Sequence, residues 1–237
     1  MKEILAENKA HSTKFKEILE LRSEPVAVKL VKEGEEFPSE YPIPEKQITH
    51  CQTVMRARRG EKFMMPVSMH VCPTGAAFLG MMPMPENVAS GEFHFTMGVM
   101  DTAQAVKRTI GAGTIVPDKI IGTVVCPLKD ADFKPDVVIF VDIPERIYWF
   151  APLYTAHTGG RVTYITSAFQ SACLDVTSIP FVTNAPNLSV GCLGCRNNTD
   201  LATDELMIGI PGSLISDMSE TLERYATDAL QRVNRKG

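Results

Sequence analysis

Apolar positions recur at helical spacing near both ends of the chain and in continuous, strand-length runs through its middle. Over residues 2–22, Ile4, Leu5, Phe15, Ile18, Leu19 and Leu21 form an apolar stripe that Glu24-Pro25 ends, predicting an amphipathic helix. Residues 25–31 follow as a buried strand, and residues 33–46, with Gly34, Pro38, Pro42 and Pro44, as a loop. A helix is expected over 47–59, a short strand over 63–67, a helix opened by Pro73 and running to Gly80, and another over 101–110 closed by Gly111-Ala112-Gly113. Residues 122–128 and 136–142 read as strands. The second is a continuous apolar run, as in a strand covered on both faces. Pro144 then opens an aromatic helix, and 161–166 reads as a further strand, an order resembling a β-α-β unit without a Gly-x-Gly-x-x-Gly turn. Residues 171–200 are rich in turn signals. A strand over 205–210 precedes a long C-terminal helix with Ile215, Met218, Leu222, Tyr225, Ala226, Leu230 and Val233 on one face. There is no repeat and no linker, so the expectation is one α+β or α/β domain over residues 1–237, a mixed central sheet flanked by helices.

Composition adds little. A formal net charge of -4 over 237 residues gives no general electrostatic case for nucleic acid or an anionic membrane. The first nine residues hold no signal-peptide core, and no stretch approaches the roughly 20 apolar residues needed to span a bilayer. The expectation is therefore a cytoplasmic protein, where clustered thiols point to metal or redox chemistry more than to disulfides. Seven of the twelve methionines lie between Met55 and Met84, as core filler or as the lining of a loosely shaped apolar pocket.

The chemistry lies in six cysteines. Cys192 and Cys195 form a Cys-x-x-Cys in a glycine-rich turn, a spacing at which two thiolates grip one iron or zinc ion. Cys72 precedes Pro73 and is expected as a helix N-cap, where the dipole favours thiolate; Cys-Pro is also similar to the end of the bacterial ferredoxin motif. Cys51 is expected one turn into its helix and Cys173 just past a strand end, each a metal ligand or a small buried hydrophobe. Cys126, inside a strand pattern, reads as core. His50 and His70 stand near Cys51 and Cys72 as ligands, bases or structural histidines; His11 and His94 have no supporting context, and His157 is placed to touch an anion or nothing. Arg56, Arg58, Arg59 and Lys62 are either a solvated helix end or a seat for an anionic substrate or acidic partner, and Gly111-Ala112-Gly113-Thr114 is a helix stop or a backbone cradle for a cofactor.

In their order, residues 25–29, the Cys51 segment, Cys72-Pro73-Thr74-Gly75-Ala76, Pro127-Leu128-Lys129-Asp130, 135–138, Ser171-Ala172-Cys173, Gly191-Cys192-Leu193-Gly194 and 204–212 resemble domain of unknown function family 169, an uncharacterised archaeal and bacterial family. That resemblance implies no activity. It does imply cysteine at the positions of Cys51, Cys72, Cys173 and Cys192, with asparagine common at that of Cys195. The ligand set it favours is therefore Cys51, Cys72, Cys173 and Cys192, with Cys195 a neighbour, an alternative ligand or a passenger.

The leading expectation is an iron–sulfur protein, [4Fe–4S] in type, serving electron transfer, redox sensing or reductive chemistry with a redox partner or a small molecule. The alternatives are a four-cysteine zinc site on a binding module, a metal-free thiol enzyme using Cys72 or Cys192 with His50 or His70 as base, and a haem protein.

Overall fold

Period-two alternation along each strand divides the interior into two cores, one on either face of a single sheet. The computed structural model describes residues 2–38 and 40–233, the side chains of 232 and 233 excepted. Helix α1 (Lys2–Ile18) leads to β1 (Val26–Lys32), α2 (His50–Ala57), β2 (Phe63–Pro66) and α3 (Pro73–Phe78). Three short helices, α4 (Glu86–Ala89), α5 (Glu92–Phe95) and α6 (Ala103–Gly111), precede β3 (Ile120–Pro127) and β4 (Val137–Asp142). Helices α7 (Pro144–Ile147) and α8 (Phe150–Thr155) are followed by a π-helix (Ser171–Ser178), α9 (Ile179–Thr183), β5 (Asn187–Ser189), α10 (Leu193–Asn198), β6 (Leu206–Pro211), α11 (Ile215–Thr227) and α12 (Ala229–Val233). The fold is mixed α+β. The sheet has six strands in the order β2-β3-β1-β4-β6-β5, every pairing antiparallel. No helix among the described residues is long and apolar enough to cross a membrane.

On one face Ala27, Val124, Cys126, Val138, Phe140, Ile208 and Ile210 meet α1 and α11. Phe15 packs on Phe140 and Phe150 with ring centroids 5.0 and 5.8 Å away, and Leu222 is fully buried against this layer. On the other face Val26, Val28, Val125, Ile139, Val141 and Met207 meet α2, α3 and the π-helix, in a core that also contains Cys173, Cys192 and Cys195.

Gly209 of β6 shows how closely that second layer is seated. A Cβ there would stand 2.1 Å from the carbonyl oxygen of Val176, so only glycine lets the π-helix backbone rest on the sheet.

Four sequence expectations are corrected. Residues 161–166 form no strand: the amide and carbonyl of Ile165 bond to the Asn187 side chain (2.7 Å each) instead of a ladder. The β-α-β unit is accordingly absent, and the continuous apolar run of β4 arises because both faces of a central antiparallel strand are covered. Residues 171–200 are not a run of turns; they carry the π-helix, α9, β5 and α10. The C-terminal helix breaks at Asp228, whose φ and ψ of -137° and -73° leave the helical region; the Val233 side chain lies outside the described residues.

Candidate metal centre

Five of the six cysteines border one cavity of about 230 Å³ on the second face of the sheet: Cys51, Cys72, Cys173, Cys192 and Cys195. They come from four separated segments that backbone hydrogen bonds tie together. Ile48 bridges His70, its amide bonding Met69 O (3.1 Å) and its carbonyl accepting from Val71 N (3.2 Å), which sets the entry of α2 beside the entry of α3. The Leu193 amide bonds Ala168 O at 3.0 Å, joining the start of α10 to the loop before the π-helix. Farther out, Arg58 at the end of α2 is 3% exposed and grips Glu205 (2.9 Å) and Asp200 (3.2 Å), just past α10. Helices α2 and α10 are thus clamped as a pair.

Each thiol sits where a helix begins. Thr49 caps α2 in a reciprocal capping box with Gln52, which puts Cys51 at the second helical position, not one turn in; Thr49 Oγ1 is 2.9 Å from its sulfur. Cys72 is the N-cap of α3, its sulfur accepting from Gly75 N at 3.4 Å, as the Cys-Pro pattern predicts. Cys192 is the N-cap of α10 in the same manner, accepting from Cys195 N at 3.3 Å, and Ser171 Oγ donates to it at 3.2 Å. Cys173 lies in the first turn of the π-helix, and no strand leads directly into it, residues 143–170 holding none. These donors and helix starts favour the thiolate form of sulfur. Gly75 keeps two thiols close: a Cβ there would be 3.3 Å from Cys173 Sγ and 3.5 Å from Cys72 Sγ.

All six cysteines are free thiols. Burial pushes Cys72 up and Cys173 well above its ordinary value, and neighbouring thiols add to the effect on each. The neighbouring Cys195 thiol, and then burial, hold Cys51 high, while Cys195 itself is drawn down to about 7 beside Cys51, helped by Thr199. Cys126 lies apart, on the aromatic face beside Tyr41, and burial drives it up to about 12. Among the described residues no three His, Cys, Asp or Glu side chains are drawn together around one ion-sized point. The thiols ring a space instead.

Three histidines share that space. His50 Nε2 lies 3.1 Å from Thr177 Oγ1, whose own proton goes to Ala172 O (2.7 Å). A carbonyl only accepts, so His50 donates through Nε2, and its buried Nδ1 is a bare lone pair with no partner. Burial lowers His50 to about 3 and His70 to about 4, so both are neutral near pH 7; their rings stack with centroids 6.4 Å apart. His94, which has no context in the sequence and lies 22 residues from the nearest cysteine, Cys72, is 2% exposed at the cavity wall against Phe169. Gln170 was equally hidden. It adopts a left-handed backbone (φ 63°, ψ 55°) and bonds both Cys173 and His94. Strain of this kind at a non-glycine residue is the one local mark of the site that sequence does not carry.

The remaining sequence candidates lie elsewhere. Arg56, Arg58, Arg59 and Lys62 are paired with Glu61, Glu205 and Asp200, Asp200, and Asp130, so this run is ion-paired to its own chain. His157 faces Thr221 at 3.4 Å, and His11 lies on α1. Gly113 abuts the Phe78 ring, a packing role. None of the methionines between 55 and 84 borders the cavity; Met97 does.

The pattern of domain of unknown function 169, described as "Uncharacterised ArCR, COG2043", matches residues 14–221. The chain is also 30% identical over 221 residues to the uncharacterized protein MJ0308 of Methanocaldococcus jannaschii, covering 92% of this chain and 95% of that one. No solved structure matches.

Proposed function

The chain belongs to domain of unknown function family 169, and from its thiol-lined cavity we propose that it is an iron–sulfur protein. In this reading a [4Fe–4S] cluster is held by Cys51, Cys72, Cys173 and Cys192, with Cys195 beside them, and serves electron transfer or reductive chemistry. One observation carries the reading: four segments scattered over the sequence bring five thiols, and no carboxylate, around a single cavity. Soft all-thiolate sets select iron–sulfur clusters, zinc or copper(I). Volume helps to choose among them. A four-cysteine zinc site closes on one ion at about 2.3 Å per bond, whereas 230 Å³ is several times the roughly 30 Å³ share of one water molecule. A polynuclear group suits that space better than one ion. The same volume is small for a haem, being below the ~300–1,000 Å³ usual for pockets that take drug-sized ligands.

The cluster would supply one-electron transfer. The chain's own part would be to bury it and to tune its potential through the Gly75 amide on the Cys72 sulfur and the Cys195 amide and Ser171 hydroxyl on the Cys192 sulfur.

The bare, partnerless Nδ1 of His50, a residue of the same cavity wall, favours a second reading as a metal-free thiol site with His50 as base. Purification without oxygen, followed by iron, sulfide and zinc analysis and a visible spectrum, separates the readings. Iron and sulfide at about four each per chain with a broad brown absorbance support the cluster. One zinc and no colour supports the zinc module. Folded, metal-free protein in which one cavity thiol alone alkylates rapidly supports the thiol site.

A further inference from the structure

Gln170 stands between the thiols and His94. Its Oε1 accepts the Cys173 thiol proton at 2.9 Å, and its Nε2 faces His94 Nε2 at 3.4 Å. The residue is 8% exposed and held in a left-handed conformation that L side chains rarely adopt. An amide has one accepting end and one donating end, and a neutral imidazole has one of each as well. The orientation of the one therefore dictates the tautomer of the other.

While Cys173 is a thiol it donates to Oε1. The amide N–H then donates to His94 Nε2, so the His94 proton sits on Nδ1, a buried atom with no partner. A metal-bound thiolate can only accept, and an oxygen 2.9 Å from it is repelled. The terminal amide torsion is soft, so the amide turns over and presents its N–H groups to Cys173. Oε1 then takes the place opposite His94 and demands a proton on Nε2. The thiol proton leaves to solvent, and the His94 proton passes from one ring nitrogen to the other by exchange with water. The net charge of the ring does not change. The amide also leans towards Cys72, but that contact is not of hydrogen-bond quality, so the short contact to Cys173 governs.

Resting on the reading of Cys173 as a ligand, we infer that Gln170 is a positioning residue that ties the state of the thiols to the tautomer of His94. His94 would then carry its proton on Nδ1 when the thiols are free and on Nε2 when they hold metal.

Nitrogen-15 NMR of histidine-labelled full chain reads the tautomer directly, with cadmium(II) as a diamagnetic thiophilic probe and His94→Gln to assign the signal. His94 is expected as the Nδ1–H form without metal and the Nε2–H form with cadmium bound. His50, fixed by Thr177 and Ala172, should stay Nε2–H throughout and serves as the internal control. Gln170→Leu should still take up cadmium, with no change of the His94 tautomer on loading. An unchanged His94 tautomer in wild-type protein whose cadmium signal shows thiolate ligation overturns this inference and leaves the ligand set standing. No cadmium–thiolate signal at all overturns the inference, while the ligand set is decided separately by the iron and sulfide content.

Discussion

The two faces of the sheet bury similar amounts of chain in opposite ways. On the aromatic face two amphipathic helices, α1 and α11, lay apolar stripes on alternate strand residues, and three phenylalanine rings interlock. Its cysteine, Cys126, behaves as one more small hydrophobe. On the thiol face shorter helices pack on the sheet, and their N-termini, three histidines and a strained glutamine surround a space. Burial is shared by Cys126 on one face and Cys173, Cys192 and Cys195 on the other, so burial alone does not make a site. What differs is the presence of oriented N–H and O–H groups beside the sulfur.

The largest effect that would sharpen this contrast is on metal content. Cys72→Ser or Cys192→Ser should remove nearly all iron and sulfide from anaerobically purified protein, whereas Cys126→Ser should leave both at the wild-type level. Equal loss from all three would erase the distinction between the faces.

Next comes stability. Phe140→Ala removes a ring 1% exposed at the centre of the aromatic core, and denaturant unfolding should show a loss of about 3–5 kcal/mol. The folded fraction should still bind metal. Arg58→Met leaves Glu205 buried without its partner, which costs on the order of 3 kcal/mol. Because Arg58 clamps α2 to the segment after α10, this variant should also release its cluster faster on exposure to air than Phe140→Ala does at matched stability. Equal release rates would show that the clamp does not hold the thiols in place.

The smallest effect is on pH dependence, on the aromatic side. Burial, and then Lys14, lower His11 below 6.5 despite Glu7, Glu220 and Glu223 nearby. The unfolded chain therefore binds more protons there than the folded one. Stability is fully present above pH 6.5 and declines as pH falls from 6.5 towards the lowered value. His11→Gln should flatten that slope in unfolding curves between pH 7 and 5; an unchanged slope would place its origin at another group.

Much of the aromatic face is legible in the sequence. Helical spacing finds α1 and α11, and the apolar runs find β1, β3, β4 and β6. The thiol face is legible as residues but not as geometry. Cys72 is readable as an N-cap because proline at the first helical position marks the place. Cys173 is misplaced because a π-helix has no apolar period of its own to announce it. Residues 161–166 have strand composition, yet a distant asparagine side chain takes the backbone bonds of Ile165. His94 and Gln170 join the site through tertiary packing alone. Nothing within a few residues of His94 marks it, and the left-handed backbone of Gln170 leaves no trace in a sequence where glycine or asparagine would have signalled it.

The central claim is that the cavity thiols act as one ligand set and Cys126 does not. Mössbauer spectroscopy of protein grown on iron-57 and kept free of oxygen tests it most directly. The account predicts the signal of a thiolate-ligated tetranuclear cluster, about four irons per chain, retained in Cys126→Ser and absent in Cys192→Ser. Folded, fully reduced wild-type protein with no cluster signal, or a cluster that survives Cys192→Ser but not Cys126→Ser, would contradict it.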